Sequence, residues 1–382
     1  MQTIFDRYGE ERISKLLSII TLHLAEGRGK EHILNELECD EELYSIAKAR
    51  LKGSLKNKDA AKLYFNETDL RFATSDIIAE YRAERLKCNV IADIGCSTGF
   101  QSIAFAKTCK KVYAIDLDYR KIEYAKRNAK KLGIRNIEFI QGDALDDTIL
   151  KKIKDSEIIF CDPERLPEET ERNIESIRPN IRNFLKKYEK ITDRIALEFP
   201  PQIHGIPFDC EKEYLSVNHE LNRLNLYFGS LKKCNRSVMM LPQKKSICFN
   251  GTNDLKLTKV NVRKYVYEVD QAVERAELTG YLASTHGNLG VIPSDKGVFL
   301  SSKDKINADF FAAAFEVLDE CEKDKEKMFY FLKKNDAVKV IIRYNIDSTE
   351  YWKERTALEK ELTGKETIYL FNFGKIYLCK KL

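Results

Sequence analysis

The chain has 382 residues, 43% hydrophobic and 33% charged, with a net charge of +5 and a pI near 8.5. That length implies roughly two or three domains, and the mild positive charge permits a nucleic-acid partner without demanding one. The ten cysteines show no C-x-x-C spacing, which argues against a structural zinc site. A chain this large without a leader does not call for a disulfide framework either. No apolar run approaches the roughly 20 residues that span a bilayer. The expectation is a reduced, cytoplasmic protein with no membrane and no metal.

Residues 1–73 read as a helical domain. Ile13, Leu16, Leu17, Ile20 and Leu24 recur at helical steps until Gly27-Arg28-Gly29 interrupts them. Further helices are predicted over 33–37 and 43–51, the second ending before Gly53. From Thr74 the pattern changes. A helix over 75–86 starts at an N-cap, Thr74 or Ser75. Strands are predicted over 90–94, 111–115, 137–140, 157–161 and 194–199, with helices over 101–107, 119–132 and 181–188. Gly133 caps the second of these helices. This alternation predicts an α/β domain over 74–261, a Rossmann-like, mostly parallel sheet with helices on both faces. Short strands over 214–217, 224–228, 236–241 and 246–249 would finish that sheet. A small α+β domain over 262–382 follows, with a helix over 271–283, a βαβ-like run over 315–344, a helix and a hairpin. The hairpin strands, 368–371 and 376–379, flank Asn372-Phe373-Gly374-Lys375.

The most informative stretch is 91–100, IADIGCSTGF. An apolar strand ends in Asp93, and a loop containing Gly95, Cys96 and Gly99 leads into a helix. Glycine lets the backbone turn sharply and approach a ligand. The G-x-x-x-G spacing after an acid differs from the pyrophosphate-binding pattern and suits the methionine half of S-adenosylmethionine. Asp116-Leu117 ends the next strand, where an acid can bind ribose hydroxyls. Asp143-Ala144 follows the third strand, placed to accept from an adenine amino group. Asp162-Pro163 follows the fourth. Each acid alone would pass as a cap or turn residue. Together they fall where an open α/β sheet binds its ligand.

These motifs resemble those of class I S-adenosylmethionine-dependent methyltransferases. A narrower similarity is to methyltransferases with a THUMP-like C-terminal domain. It rests on LYFNETDLRFATSDIIAEYRAERL (63–86), CDPER (161–165), YVYEVDQAVERAELTG (265–280) and the ending from EVLDE at Glu316. The resemblance covers most of the chain after about residue 63. It implies an RNA-directed enzyme and brings Thr74 and Arg82 toward the cofactor. The family usually shows Asp-Pro-Ala-Arg-Arg where this chain has Asp162-Pro163-Glu164-Arg165-Leu166, and residues before 63 match poorly.

Methyl transfer from a sulfonium is an in-line displacement that needs an aligned, desolvated nucleophile. Enzymes acting on exocyclic amines often place Asn/Asp-Pro-Pro-aromatic at this strand end. Here the second proline and the ring are both missing, which favours a ring nitrogen such as guanine N7 over N2. Asp162 or Glu164 can accept from the guanine edge, and Arg165 can contact N7/O6 or a phosphate; alternatively Arg165 pairs with Glu164 or Glu168. The expected catalytic set is Asp162, Pro163, Glu164 and Arg165. Cys161 reads as a buried strand residue rather than a nucleophile. Glu198-Phe199-Pro200-Pro201 either lines the substrate pocket or makes a turn.

Between 232 and 264 nine basic residues face one acid, Asp254. Lys232, Lys233, Arg236, Lys244, Lys245, Arg263 and Lys264 are the candidate RNA contacts. The alternative is a lysine-protected sheet edge. The last stretch, 301–382, is balanced, with 16 Lys/Arg against 15 Asp/Glu. The reading is a methyltransferase for RNA, with a tRNA guanosine as target. The competing readings are a small-molecule or protein methyltransferase and a non-catalytic cofactor-binding RNA-binding protein.

Overall fold

The structure is a computed structural model and describes residues 2–165, 174–252, 254–287, 289–294 and 296–382. By its internal contacts the chain divides into two compact units. One comprises Met1–Glu211 with Asn225–Lys233, the other Lys212–Leu224 with Cys234–Leu382.

The first unit opens with α1 (Ile4–Tyr8), α2 (Glu10–Ala25), α3 (Lys30–Leu37) and α4 (Glu41–Gly53). The periodic positions of α2 do what their spacing demands. Ile13, Leu16, Leu17 and Ile20 are buried against Leu43, Ile46 and Ala47 of α4. Next comes α5 (Glu67–Phe72), whose start is fixed by a reciprocal capping box between Asn66 and Asp69. It is followed by α6 (Asp76–Arg85).

The chain then alternates through β1 (Val90–Ile94), α7 (Phe100–Ala106), β2 (Lys111–Asp116), α8 (Tyr119–Lys131) and β3 (Ile137–Gln141). It continues through α9 (Asp147–Lys152), β4 (Ile158–Cys161), the two-residue strands β5 (Glu164–Arg165) and β6 (Ile177–Arg178), α10 (Ile181–Tyr188) and β7 (Ile195–Phe199). Asp118 caps α8 by accepting from the Arg120 N–H. At its other end Gly133 takes a left-handed φ of 71°, while Gly133 and Ile134 donate to the carbonyls of Lys130 and Ala129. The strands run parallel in the order β7-β4-β1-β2-β3. Strands β4 and β7 are buried along their whole length, so they are continuous apolar runs rather than alternating ones. The order reverses between β1 and β4, which makes that gap the topological switch point where such sheets bind ligands. The parallel α/β domain expected from the sequence is therefore present.

Strands β8 (Glu211–Val217) and β9 (Glu220–Tyr227) take the chain into the second unit and back. Their two-residue turn, Asn218-His219, has φ of 52° and 65°; the matching positive values suit a twisted hairpin. Then come β10 (Arg236–Leu241), β11 (Lys245–Phe249), β12 (Tyr265–Val269), α11 (Gln271–Arg275), α12 (Thr279–Thr285), β13 (Gly290–Ile292) and β14 (Phe299–Ser302). The unit ends with β15 (Phe311–Cys321), α13 (Lys325–Lys334), β16 (Ala337–Ile342), α14 (Ser348–Glu359), β17 (Glu366–Asn372) and β18 (Ile376–Lys381). The larger sheet runs β13-β14-β12-β15-β18-β17-β16 and is antiparallel except between β16 and β17.

Three expectations need correction here. The single helix over 271–283 is split, because Glu277 sits at φ 55° and turns the chain out of the right-handed spiral. The βαβ-like run over 315–344 does not pair its two strands. Strand β16 pairs in parallel with β17 through α14, and β15 lies beside β18. The cysteines are not all reduced: Cys234 and Cys248 form a disulfide with their Cα atoms 5.9 Å apart. Cys248 lies in β11 opposite Ser237, and Cys234 lies two residues before β10, so the antiparallel pairing brings the two within disulfide reach. The closing hairpin is as expected, with Asn372 opposite Ile376 and Gly374 at φ 94°.

Candidate active site

The register of the parallel sheet assembles the site. Ile94 pairs with Ile115 on β2 and with Cys161 on β4. Gly95, Asp116 and Asp162 therefore leave the sheet at one level, on either side of the switch point. The N–H groups of Gly95 and Cys96 both donate to the Ile115 carbonyl, at 2.8 and 2.9 Å. Gly95 has φ 79°, and a Cβ there would lie 3.1 Å from the Asp162 carbonyl oxygen. Gly99 has φ 86°, and a Cβ there would press on Ala125 of α8 at 3.0 Å. Both glycines are required, one by the loop's approach to Asp162 and the other by helix packing.

The acids differ in their surroundings. Asp93 stands inside the sheet, opposite Ala114 and Phe160, and is buried. Its carboxylate accepts from the Ser102 hydroxyl. Burial pushes its pKa up to about 7, against the pull of Ser102 and Arg82. Expected among the ligand contacts, Asp93 lies within β1, with the Ser102 hydroxyl of α7 as its partner. Asp116 accepts from the Ser97 N–H at 2.8 Å through one oxygen and from the Asp118 N–H at 2.9 Å through the other. Each oxygen keeps a further lone pair. Leu117, next to it, is 69% exposed and offers an apolar surface. Asp143 is exposed at the end of β3 and accepts from the Leu145 N–H. The Ala144 carbonyl accepts from the Tyr188 hydroxyl at 2.8 Å, which ties this loop to α10. Thr74 is buried just before α6, and Asp162 is half-buried.

Two supports escaped the sequence reading, and a third, Arg82, was expected there only as approaching the cofactor. Asn128, fully buried in α8, donates to the carbonyls of Tyr64 and Thr98 and accepts from the Tyr64 N–H. It joins the glycine loop to the segment before α5. Arg120 at the start of α8 makes a two-pronged pair with Asp69 of α5, at 2.8 and 3.0 Å. Arg82, 1% exposed, is ion-paired with Glu198, donates to Gln101 and Asn225, and lies over the Phe160 ring. Glu198 of β7 is thus engaged in a buried network. No spacing rule announces such long-range partners; a buried asparagine inside a helix is the one available hint.

Comparison with known proteins is consistent with this geometry. Residues 87–204 match the family described as "Methyltransferase domain". A stretch of 155 residues is 41% identical to the "Probable cobalt-precorrin-6B C(15)-methyltransferase (decarboxylating)" of Methanocaldococcus jannaschii, covering 41% of this chain and 75% of that one. The chain belongs to the class I S-adenosylmethionine-dependent methyltransferases. A crystal structure from Porphyromonas gingivalis superposes with a TM-score of 0.75 at 16% identity, over 97% of this chain and 98% of that one, and so shares the fold. Other matches are partial. The chain spans 30% of an uncharacterized M. jannaschii protein at 38% identity and 17% of an "Uncharacterized RNA methyltransferase" of Clostridium acetobutylicum at 37% identity.

The methyltransferase uses S-adenosylmethionine, and the residues present fit it. The Cβ-free rim at Gly95, the pinned Asp116 carboxylate, the exposed Leu117 and the Asp143 carboxylate are the groups that would meet a methionine tail, a ribose, an adenine face and an adenine amino group. Of the expected catalytic residues, Asp162 and Pro163 follow β4 directly. Glu164 and Arg165 form β5 opposite Arg178 and Ile177; their side chains and residues 166–173, Glu168 included, lie outside the described residues. The Cys161 thiol is buried, and burial together with Asp162 and Asp93 pushes its pKa well up, which disfavours a thiolate.

The methyltransferase's basic strip divides. Lys232, which pairs with Asp209, and Lys233 belong to the first unit, and the remaining candidates to the second. Lys244, Lys245 and Lys264 are exposed, and Arg263 is half-buried. Arg236 does not belong to an RNA-facing set. It is buried, and its guanidinium donates to Glu277 and to the carbonyls of Ala276 and Glu277.

Proposed function

We propose that this methyltransferase modifies RNA, with a tRNA guanosine as target and N7 favoured over N2. The carrying observation is Asp162-Pro163 at the switch point, against Gly95, with no aromatic residue following in the sequence. A ring nitrogen with a free lone pair needs positioning rather than deprotonation. Asp162 serves as the acceptor that holds the base, and Glu164 and Arg165 complete the contact. The remaining cofactor contacts, Thr74, Cys96, Gly99 and Ala144, act through backbone shape. Exposed Lys233, Lys244, Lys245 and Lys264 support an RNA partner. The clostridial relative bearing an RNA methyltransferase name and the resemblance of the C-terminal region to THUMP-like domains support it too.

A second reading has its own observation. Identity of 41% to the cobalt-precorrin protein falls on the stretch shared with a small-molecule enzyme. One experiment separates the two: incubation with methyl-labelled cofactor and unmodified tRNA transcripts, then mass analysis of the nucleosides. Label in 7-methylguanosine supports the first reading. Label in 2-methylguanosine corrects the atom. No label in RNA, with turnover on a corrinoid precursor, overturns it.

A further inference from the structure

The second unit holds a cavity of about 290 Å³ whose lining includes none of the candidate cofactor or catalytic residues. Lys296, Tyr344, Asn345, Ser348, Tyr351 and Trp352 line it together with Ile342 and Ile346. Its place follows from topology. Strand β16 passes through α14 to its parallel neighbour β17, and residues 344–352 are the crossover just beyond the carboxyl end of β16. Ligands of parallel α/β units bind at such ends.

Part of the lining is held by polar and aromatic contacts, and part is open to solvent. Tyr344 is buried, and its hydroxyl donates to Glu354 at 2.5 Å. Tyr351 meets Trp352 edge-on, with centroids 5.4 Å apart at 87°. The Arg355 guanidinium lies over the Trp352 ring at 5.2 Å. Yet Trp352, the chain's single tryptophan, is 64% exposed. Around it stand a cation on Lys296, an amide on Asn345 and a hydroxyl on Ser348. Among the described residues none of these three side chains has a hydrogen-bond or ion-pair partner. The site therefore offers an aromatic platform, an amide and a hydroxyl that both donate and accept, and a positive charge. A ligand matching all of these is flat, carries hydrogen-bonding edges and is anionic. An aliphatic chain makes no use of the exposed Asn345 amide or Ser348 hydroxyl, and a neutral sugar gains nothing from Lys296.

We propose that this cavity binds a nucleobase on its ribose phosphate, from a free nucleotide or from unpaired RNA. The base stacks on Trp352, Asn345 and Ser348 bond its edge, and Lys296 meets the phosphate. Stacking platforms of this kind read single strands. The inference goes beyond the methyl-transfer reading and does not depend on which substrate is methylated.

Because the chain has one tryptophan, its emission reports on this cavity directly. The full chain is titrated with AMP, GMP, CMP and UMP, and separately with single-stranded adenylate and uridylate hexamers. Saturable quenching by both mononucleotides and hexamers supports a nucleotide site. Quenching by the hexamers alone supports RNA as the source. No spectral change with millimolar mononucleotides and micromolar hexamers overturns the proposal, even if the enzyme methylates RNA. Conversely, failure to methylate RNA leaves the quenching result standing. The variant Lys296→Ala/Asn345→Ala keeps the reporter, and circular dichroism checks its fold. Its titration midpoint should rise about tenfold, the size expected from losing an edge contact and a phosphate contact. An unchanged midpoint in the folded variant also overturns the proposal.

Discussion

In the first unit, carboxylates sit in or at the ends of parallel strands and are held by hydroxyl or backbone donors, Asp93 by Ser102 and Asp116 by Ser97 and Asp118. In the second, carboxylates along exposed strands meet lysines instead: Asp319 with Lys334, Glu320 with Lys375 and Glu366 with Lys380. Exposed pairs of that kind contribute little to stability. Buried carboxylates are costly unless bonded, and Asp270, wholly buried after β12 in the second unit, meets that demand through the Ser216 hydroxyl and the Ala272 N–H. The contrast teaches that the place of an acid in the sheet, rather than the number of acids, separates binding chemistry from a solvated surface.

The strongest way to break this contrast is Arg82→Ala. It leaves Glu198 buried without its cation and should cost about 3 to 5 kcal/mol in denaturant unfolding. Lys380→Ala, at an exposed pair, should leave stability within error. Equal losses in the two variants would mean that burial does not divide the units. Next in size is Asp162→Ala. Single-turnover methylation should slow roughly a thousandfold, with cofactor affinity by calorimetry within a few-fold of the parent. An equal fall in affinity and rate would reassign Asp162 to cofactor binding.

Asp93 gives a test by pH. Its folded pKa of about 7 lies above its ordinary 3.8, so the folded state holds the proton more tightly. That contribution to stability is complete below about pH 4 and is lost as pH rises through 7. Asparagine cannot ionise. The parent should therefore lose on the order of 2 to 4 kcal/mol relative to Asp93→Asn between these pH values. A pH-independent difference would show that Asp93 is already ionised inside the sheet. Asp116→Ala, which removes a charged acceptor, should weaken S-adenosylmethionine binding about ten- to a hundredfold; calorimetry with unchanged affinity would remove it from the site. The smallest effect belongs to the second unit's surface. Neutralising Lys244, Lys245, Arg263 and Lys264 should make the slope of log RNA affinity against log salt shallower by roughly 0.7 to 0.9 per lost contact. An unaltered slope, with new self-association, would leave these residues as edge protection.

What the sequence disclosed divides along the same line. The Gly95–Gly99 loop and the acids at 116, 143 and 162 were legible because each is local: a strand's end, a turn's glycine and the next helix lie within a few residues. The parallel domain followed from the alternation of such segments. Arg82 with Glu198 and Asn225, or Asn128 with Tyr64, join residues far apart in sequence and have no periodic signature. Asp93 reads as the end of its strand in the sequence, and register places it within β1, opposite Ala114 and Phe160. In the second unit the strands carry alternation without pairing information, so the β16–β17 neighbourhood and the break at Glu277 emerged only from the structure. Arg236 looked like its basic neighbours until its guanidinium was seen bonded to the Ala276–Glu277 turn.

The chain crosses from one unit to the other after Glu211, Leu224 and Lys233. During synthesis the first unit stays incomplete until residues 225–233 have left the ribosome. By then 212–224 have already been made for its companion. Asn225, an acceptor for Arg82, and Leu231, whose carbonyl accepts from Arg85, are thus among the last pieces to arrive. A protease cutting once, or a gene shortened at one codon, cannot release either unit whole, because three separate strands of chain would have to be severed. The two units are therefore expected to be inherited, made and degraded as one piece.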